Sequence, residues 1–177
     1  YGVGAGNVQC IVDRDVDFKE VVSKIIIGRT FDNGIICSGE QMVIVHEDDF
    51  EKVVDEFKAN GAYYVDNEEQ KEKIRKALFD ENGIAKRNAV GQPVKIIGEL
   101  AGFSVPDTAK LIVAEVTGKG KEDMLCKEKM CPVIGIKSYK DFKEAIEIAQ
   151  ANLDFEGKGH SVAIHSNNEQ NIKYAGK

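Results

Sequence analysis

Apolar residues along this chain switch between two periods. Val8 to Val12, with Cys10 inside, is a short apolar run that predicts a strand. Phe18, Val21, Val22, Ile25 and Ile26 then recur at i, i+3, i+4, i+7 and i+8, one face of a helix, with Gly28 as its expected stop. Met42 to Val45 is apolar without alternation and reads as a strand covered on both faces. Phe50, Val53, Val54 and Phe57 return to helical spacing until Gly61. A charged stretch from Glu68 to Lys76, leading to Leu78 and Phe79, predicts a surface helix, and a short helix is expected around Ile96 to Leu100, after Pro93. Leu111 to Ala114 and Val133 to Ile136 read as strands. Phe142, Ala145, Ile146, Ala149 and Leu153 mark a helical face, Ser161 to Ile164 a further strand, and a short helix starts near Asn168. Strands separated by helices of this length predict an α/β fold in three layers, a mainly parallel sheet flanked by helices.

Composition narrows the function classes. The 177 residues are 42% hydrophobic and 31% charged, enough for one folded domain and too apolar for a disordered tail. The 30 acidic residues outnumber the 24 basic ones, for a net charge of −6. That balance argues against a nucleic acid partner, since phosphate binding needs clustered Lys and Arg. No apolar run approaches the ~20 residues of a membrane span, and no signal peptide is visible, so no membrane partner is expected and the protein reads as cytoplasmic. The cysteines, Cys10, Cys37, Cys126 and Cys131, are too sparse for a disulfide scaffold and fit a reduced compartment. The chain begins at Tyr1, which reads as the start of an excised or partial domain.

Candidate chemistry gathers in a few loops. Gly2 to Asn7 invites a dinucleotide-fingerprint reading, but a strand follows it where that motif needs a helix. A backbone turn that approaches a neighbouring element closely is the better reading. Cys37 sits in a turn-rich stretch, Phe31 to Gln41, between a helix and a buried strand. Asp32-Asn33-Gly34 supplies tight backbone geometry, and the Ser-Gly after Cys37 exposes backbone N–H groups that favour a thiolate. The alternative for Cys37 is a small buried hydrophobe. Cys126-x4-Cys131 and His160-x4-His165 lack the spacing of a structural zinc site, so no metal is expected. His46 ends a strand and is expected at the surface. His160, after Gly157-Lys158-Gly159, is placed as an acid, base or orienter in a cleft, or as a loop histidine.

Five segments in order, GVGAGN (2–7), RTFDNGIICSGEQ (29–41), VGQPVKIIGELAGFSVP (90–106), CKEKMCPV (126–133) and EGKGHSVAIHSNN (156–168), resemble the aldehyde dehydrogenase superfamily and within it the coenzyme A-acylating branch. CKEKMCPV and the GHxxAIHSNN-like stretch are most similar to CoA-dependent succinate-semialdehyde dehydrogenases. The acetaldehyde dehydrogenase half of bifunctional aldehyde-alcohol dehydrogenases is similar but looser. The resemblance covers the thiol-bearing catalytic domain, residues 1–177. It implies a nucleotide-binding domain before it and a closing segment for homo-oligomerisation after it.

The resemblance implies Cys37 as the nucleophile, its own backbone N–H as an oxyanion donor, Glu128 on the nicotinamide ribose and Met130 beside the nicotinamide ring. It implies NADP or NAD as cofactor, CoA as co-substrate, and a small aldehyde or acyl-CoA as substrate. Succinate semialdehyde leads, with acetaldehyde and other short aldehydes behind it. Hydrolytic relatives carry a glutamate at the position of Gly2, where it activates water. Gly2 has no base to offer, so a thioacyl intermediate would wait for a thiol. His160 is expected to assist that thiol or orient an acyl oxygen. The rival reading is a non-catalytic assembly domain of the same fold.

Overall fold

The computed structural model describes residues 4–176, so Gly2 lies outside the described residues. Six strands form one sheet: β1 (Val8–Val12), β2 (Glu40–His46), β3 (Ala62–Val65), β4 (Leu111–Glu115), β5 (Val133–Tyr139) and β6 (Val162–His165). Their spatial order is β3-β4-β5-β2-β1-β6, and every neighbouring pair is parallel. α1 (Phe18–Thr30) and α2 (Phe50–Ala59) pack on one face; α3 (Glu68–Leu78), α4 (Val94–Ala101) and α5 (Phe142–Phe155) pack on the other; α6 (Glu169–Ala175) follows β6. The expected three layers are present.

Side-chain alternation divides each central strand between two cores. Cys10 and Val12 meet α1 and α2, while Ile11 faces the opposite layer. Val43 and Val45 do the same against Met42 and Ile44, as do Leu111 and Val113 against Ile112 and Ala114. Continuous apolar runs are what a parallel strand covered on both faces requires.

The structure corrects several local expectations. Gly28 does not stop α1, which runs on to Thr30; it admits the Glu40 side chain, whose carboxyl carbon lies 3.3 Å from where a Cβ would sit. β3 was not foreseen: it has only four residues, follows Gly61 directly, and buries only Val65. α4 is longer than Ile96 to Leu100 at both ends. α5 buries Ile148 and Asn152 beside Ala145 and Ala149, while Ile146 and Leu153 are only partly covered. His46 is mostly covered rather than at the surface: its Nδ1 accepts from the Asp48 N–H at 3.2 Å and its ring meets Tyr139 edge-on. Among the described residues, no helix is long and apolar enough to cross a membrane.

Candidate active site

The residues singled out in the sequence enter four consecutive strands of the sheet. Glu128 and Met130 precede β5, Cys37 precedes β2, Gly6 precedes β1 and His160 precedes β6. In the order β5-β2-β1-β6 those strands are neighbours, although the chain visits them far apart. All four loops therefore meet at the amino edge of the sheet. Open parallel sheets usually bind ligands at the carboxyl edge, so this placement inverts the common rule.

Cys37 is free and exposed, flanked by the exposed Ile35 and Ile36. Its loop begins with three left-handed residues, Asp32 (φ 47°), Asn33 (φ 50°) and Gly34 (φ 75°). Asp and Asn tolerate that region better than most residues, yet each non-glycine there costs of order 1–3 kcal/mol unless its surroundings hold it. The hold comes from Arg29. Its fully buried guanidinium donates from Nη1 to the Glu40 carbonyl at 3.1 Å and from Nη2 to the Gly34 carbonyl. The expected close approach of the early glycine turn is also present. A Cβ on Gly6 would lie 2.6 Å from Cys37 Cβ and 2.7 Å from its Cα.

Glu128 is half-buried. Burial pushes its carboxyl above the ordinary range, opposed by the Gly6 N–H and reinforced by Glu156, with Arg29 and His160 also favouring the charged form. That set of neighbours brings Glu128, Gly6 and His160 together. The Glu128 N–H donates to Glu156 Oε2 at 2.8 Å, which fixes the segment's direction. Met130 is left-handed (φ 44°), its carbonyl accepts from the Gly91 N–H at 2.9 Å, and with Glu128 and Phe79 it lines a cavity of about 200 Å³. His160 Nδ1 is buried and has no partner among the described residues. Among those residues no group of three or more His, Cys, Asp or Glu is arranged to hold a metal ion.

A polar network missed in the sequence locks these loops together. Asn7 Nδ2 donates to the carbonyls of Cys126 at 2.7 Å and Glu156 at 3.0 Å. Gln9 Nε2 donates to the Asn7 carbonyl at 3.0 Å, Asn152 Nδ2 to Gln9 Oε1 at 2.7 Å, and the Gly120 N–H to Asn152 Oδ1 at 2.7 Å. Its sequence signal is a polar residue in phase with an apolar face. Asn152 continues Ala145 and Ile148 at helical spacing, and Arg29 continues Val22 and Ile26.

Lys129 is buried behind the same segment, its Nζ donating to the carbonyls of Gln41 at 3.0 Å and Lys127 at 2.7 Å. Burial pushes its ammonium down from 10.5 to about 8. Between those values the unfolded chain binds more protons than the folded one, so stability rises with pH across that window, and below it the cost of the buried ammonium is full and constant. The stability of the protein relative to Lys129→Met is expected to climb from pH 8 to pH 10, by up to about 1.4 kcal/mol per pH unit. Urea unfolding at fixed temperature measures this, and a flat difference would contradict the assigned titration.

With that geometry in view, the chain compares with known proteins as follows. Residues 4–177 match the aldehyde dehydrogenase family. The chain is 51% identical over 176 residues to succinate-semialdehyde dehydrogenase (acetylating) of Clostridium kluyveri, covering 99% of this chain and 39% of that protein. It is 34% identical over 179 residues to the bifunctional aldehyde-alcohol dehydrogenase of Escherichia coli, covering 99% of this chain and 20% of that protein. The crystal structure of an acetylating aldehyde dehydrogenase from Geobacillus thermoglucosidasius matches with a TM-score of 0.93 at 40% identity, over 99% of this chain and 38% of that one. The chain thus spans 39% or less of the length of these relatives. Matched from end to end of its described residues in both sequence and fold, the chain belongs to the aldehyde dehydrogenase family.

Proposed function

We propose that this chain is the thiol-bearing catalytic domain of a CoA-acylating aldehyde dehydrogenase, with succinate semialdehyde as the leading substrate. The overall reaction is aldehyde + CoA + NAD(P)+ to acyl-CoA + NAD(P)H. The observation that carries the reading is the exposed Cys37, seated on Gly6 between the Glu128 and His160 loops, while the other three cysteines are buried. The similarity to the acetylating succinate-semialdehyde dehydrogenase supports the substrate. The exposed Phe31, Ile35 and Ile36 around the thiol fit a face that a nucleotide-binding domain covers.

The residues present fit one end of a nicotinamide dinucleotide. A half-buried carboxylate, Glu128, suits a ribose hydroxyl, and Met130 beside it offers an apolar surface to a planar ring. That cofactor, when bound, supplies the hydride acceptor. On the protein side, Cys37 Sγ attacks the aldehyde carbon, and its own N–H donates to the oxygen that becomes negative. Oxidation leaves a thioester on Cys37. With no side chain at Gly2 to activate water, the CoA thiol attacks that thioester and releases Cys37 as a thiolate. His160, with Nδ1 buried and unpartnered, takes up the CoA thiol proton.

Product analysis of the full-length protein tests the reading. Succinate semialdehyde, CoA and NAD(P)+ should give succinyl-CoA as the main product, with short aldehydes turned over less well. Free succinate as the main product would overturn it. His160→Ala is expected to slow thioester exchange with CoA by about 10²-fold while leaving alkylation of Cys37 unchanged. Unchanged exchange would remove His160 from the mechanism.

A further inference from the structure

We propose that Arg29 is a positioning residue for Cys37, its guanidinium tying together the two ends of the segment that carries the thiol. The inference rests on the reading of Cys37 as the acylated group. Arg29 is fully buried on α1, yet both side-chain hydrogen bonds go to carbonyls that bracket the thiol, Gly34 before Cys37 and Glu40, the first residue of β2, after it. A buried cation bonded only to carbonyls is a poor device for stability, because an apolar residue there would join Val22 and Ile26 in the core. It is a good device for geometry. The planar fork fixes two acceptors at once, which a lysine ammonium does not.

The loop needs such a fixture. Asp32, Asn33 and Gly34 are all left-handed, a backbone that persists only where its surroundings over-determine it. On its far side, Gly34 is pressed against Cys131. A Cβ at Gly34 would lie 2.5 Å from Arg29 Nη2 and 2.6 Å from the Cys131 carbonyl. Cys131 follows Met130 directly, so Arg29 also sets the distance between the thiol loop and the Glu128–Met130 segment. α1 is the rigid element against which both are held.

The test is made in the full-length protein. Arg29→Lys keeps the charge and loses the fork. It is expected to lower kcat by about 10²-fold, with KM for aldehyde and nucleotide changed less than about threefold. Guanidinium ion added to Arg29→Ala should restore part of that rate and should not rescue Cys37→Ser. A folded Arg29→Lys protein with unchanged kcat, or with a loss confined to KM, overturns the proposal. If Arg29→Lys does not fold, Gly34→Ala replaces it, leaving Arg29 intact and pushing a methyl group between its Nη2 and Cys131. A similar loss of kcat is expected there, and full activity overturns the proposal. If the unaltered protein forms no acyl-enzyme, the functional reading fails by itself. The rate of Cys37 alkylation then decides on Arg29: a change of about tenfold in the variant supports positioning, and an unchanged rate overturns it.

Discussion

Cys37→Ser in the full-length protein is expected to abolish acyl-enzyme formation, and iodoacetamide should label Cys37 well before the other three cysteines. Exposure and ionisation both favour this order. Cys10, Cys126 and Cys131 are each 0% exposed. Burial pushes the Cys126 and Cys131 thiols up to about 12 and raises that of Cys10 well above its ordinary value. At pH 8 a thiol with a pKa of 12 is about 10⁻⁴ thiolate, and only the thiolate attacks. Cys37, by contrast, is exposed. A serine in its place keeps the loop but offers a hydroxyl, a far weaker nucleophile than a thiolate, so the loss should be at least ~10³-fold. Mass spectrometry after incubation with acyl-CoA would read it directly, as one acyl group on Cys37 and none in the variant. An acyl group on Cys126 or Cys131, or equal alkylation of all thiols, would defeat the assignment and favour a non-catalytic assembly domain.

The fold was legible because its strands are buried on both faces. Runs such as Met42 to Val45 carry no alternation, and only helices on both sides of a parallel sheet explain that. What escaped the sequence was polar. Arg29, Gln9 and Asn152 occupy core positions in phase with apolar neighbours, and each bonds a backbone group: Arg29 the Gly34 carbonyl, Gln9 the Asn7 carbonyl, and Asn152 the Gly120 N–H, 32 residues away. Spacing reveals the phase but not the acceptor. β3 escaped for a different reason, being a short edge strand that buries one residue. The candidate site was legible as separate loops, while its assembly was not. Strand order β5-β2-β1-β6 makes neighbours of Glu128, Cys37, Gly6 and His160, and that order depends on two long crossovers, through α2 and α5, which no local pattern encodes.

Gly6→Ala tests that assembly with a single methyl group. Gly6 has no left-handed φ, so alanine suits its backbone and any effect comes from contact alone. The added carbon would sit 2.6 Å from Cys37 Cβ and 2.7 Å from Cys37 Cα, well inside van der Waals distance. Neither partner is the end of a flexible chain, so the backbone of one loop must move. Gly6 also offers its N–H to the Glu128 carboxyl, so the same shift displaces Glu128. A displacement of about 1 Å between reacting groups costs roughly 10²-fold in rate. Losing alignment at both Cys37 and Glu128 puts the expected fall in kcat at about 10²- to 10³-fold, with an overpacking cost of about 1–3 kcal/mol in stability. The two effects separate experimentally. Thermal unfolding should show a folded protein with a modestly lower midpoint, Cys37 should still alkylate, and acyl-enzyme formation should be slow. A folded Gly6→Ala protein with full activity would mean that the Gly6 turn does not set the position of the thiol.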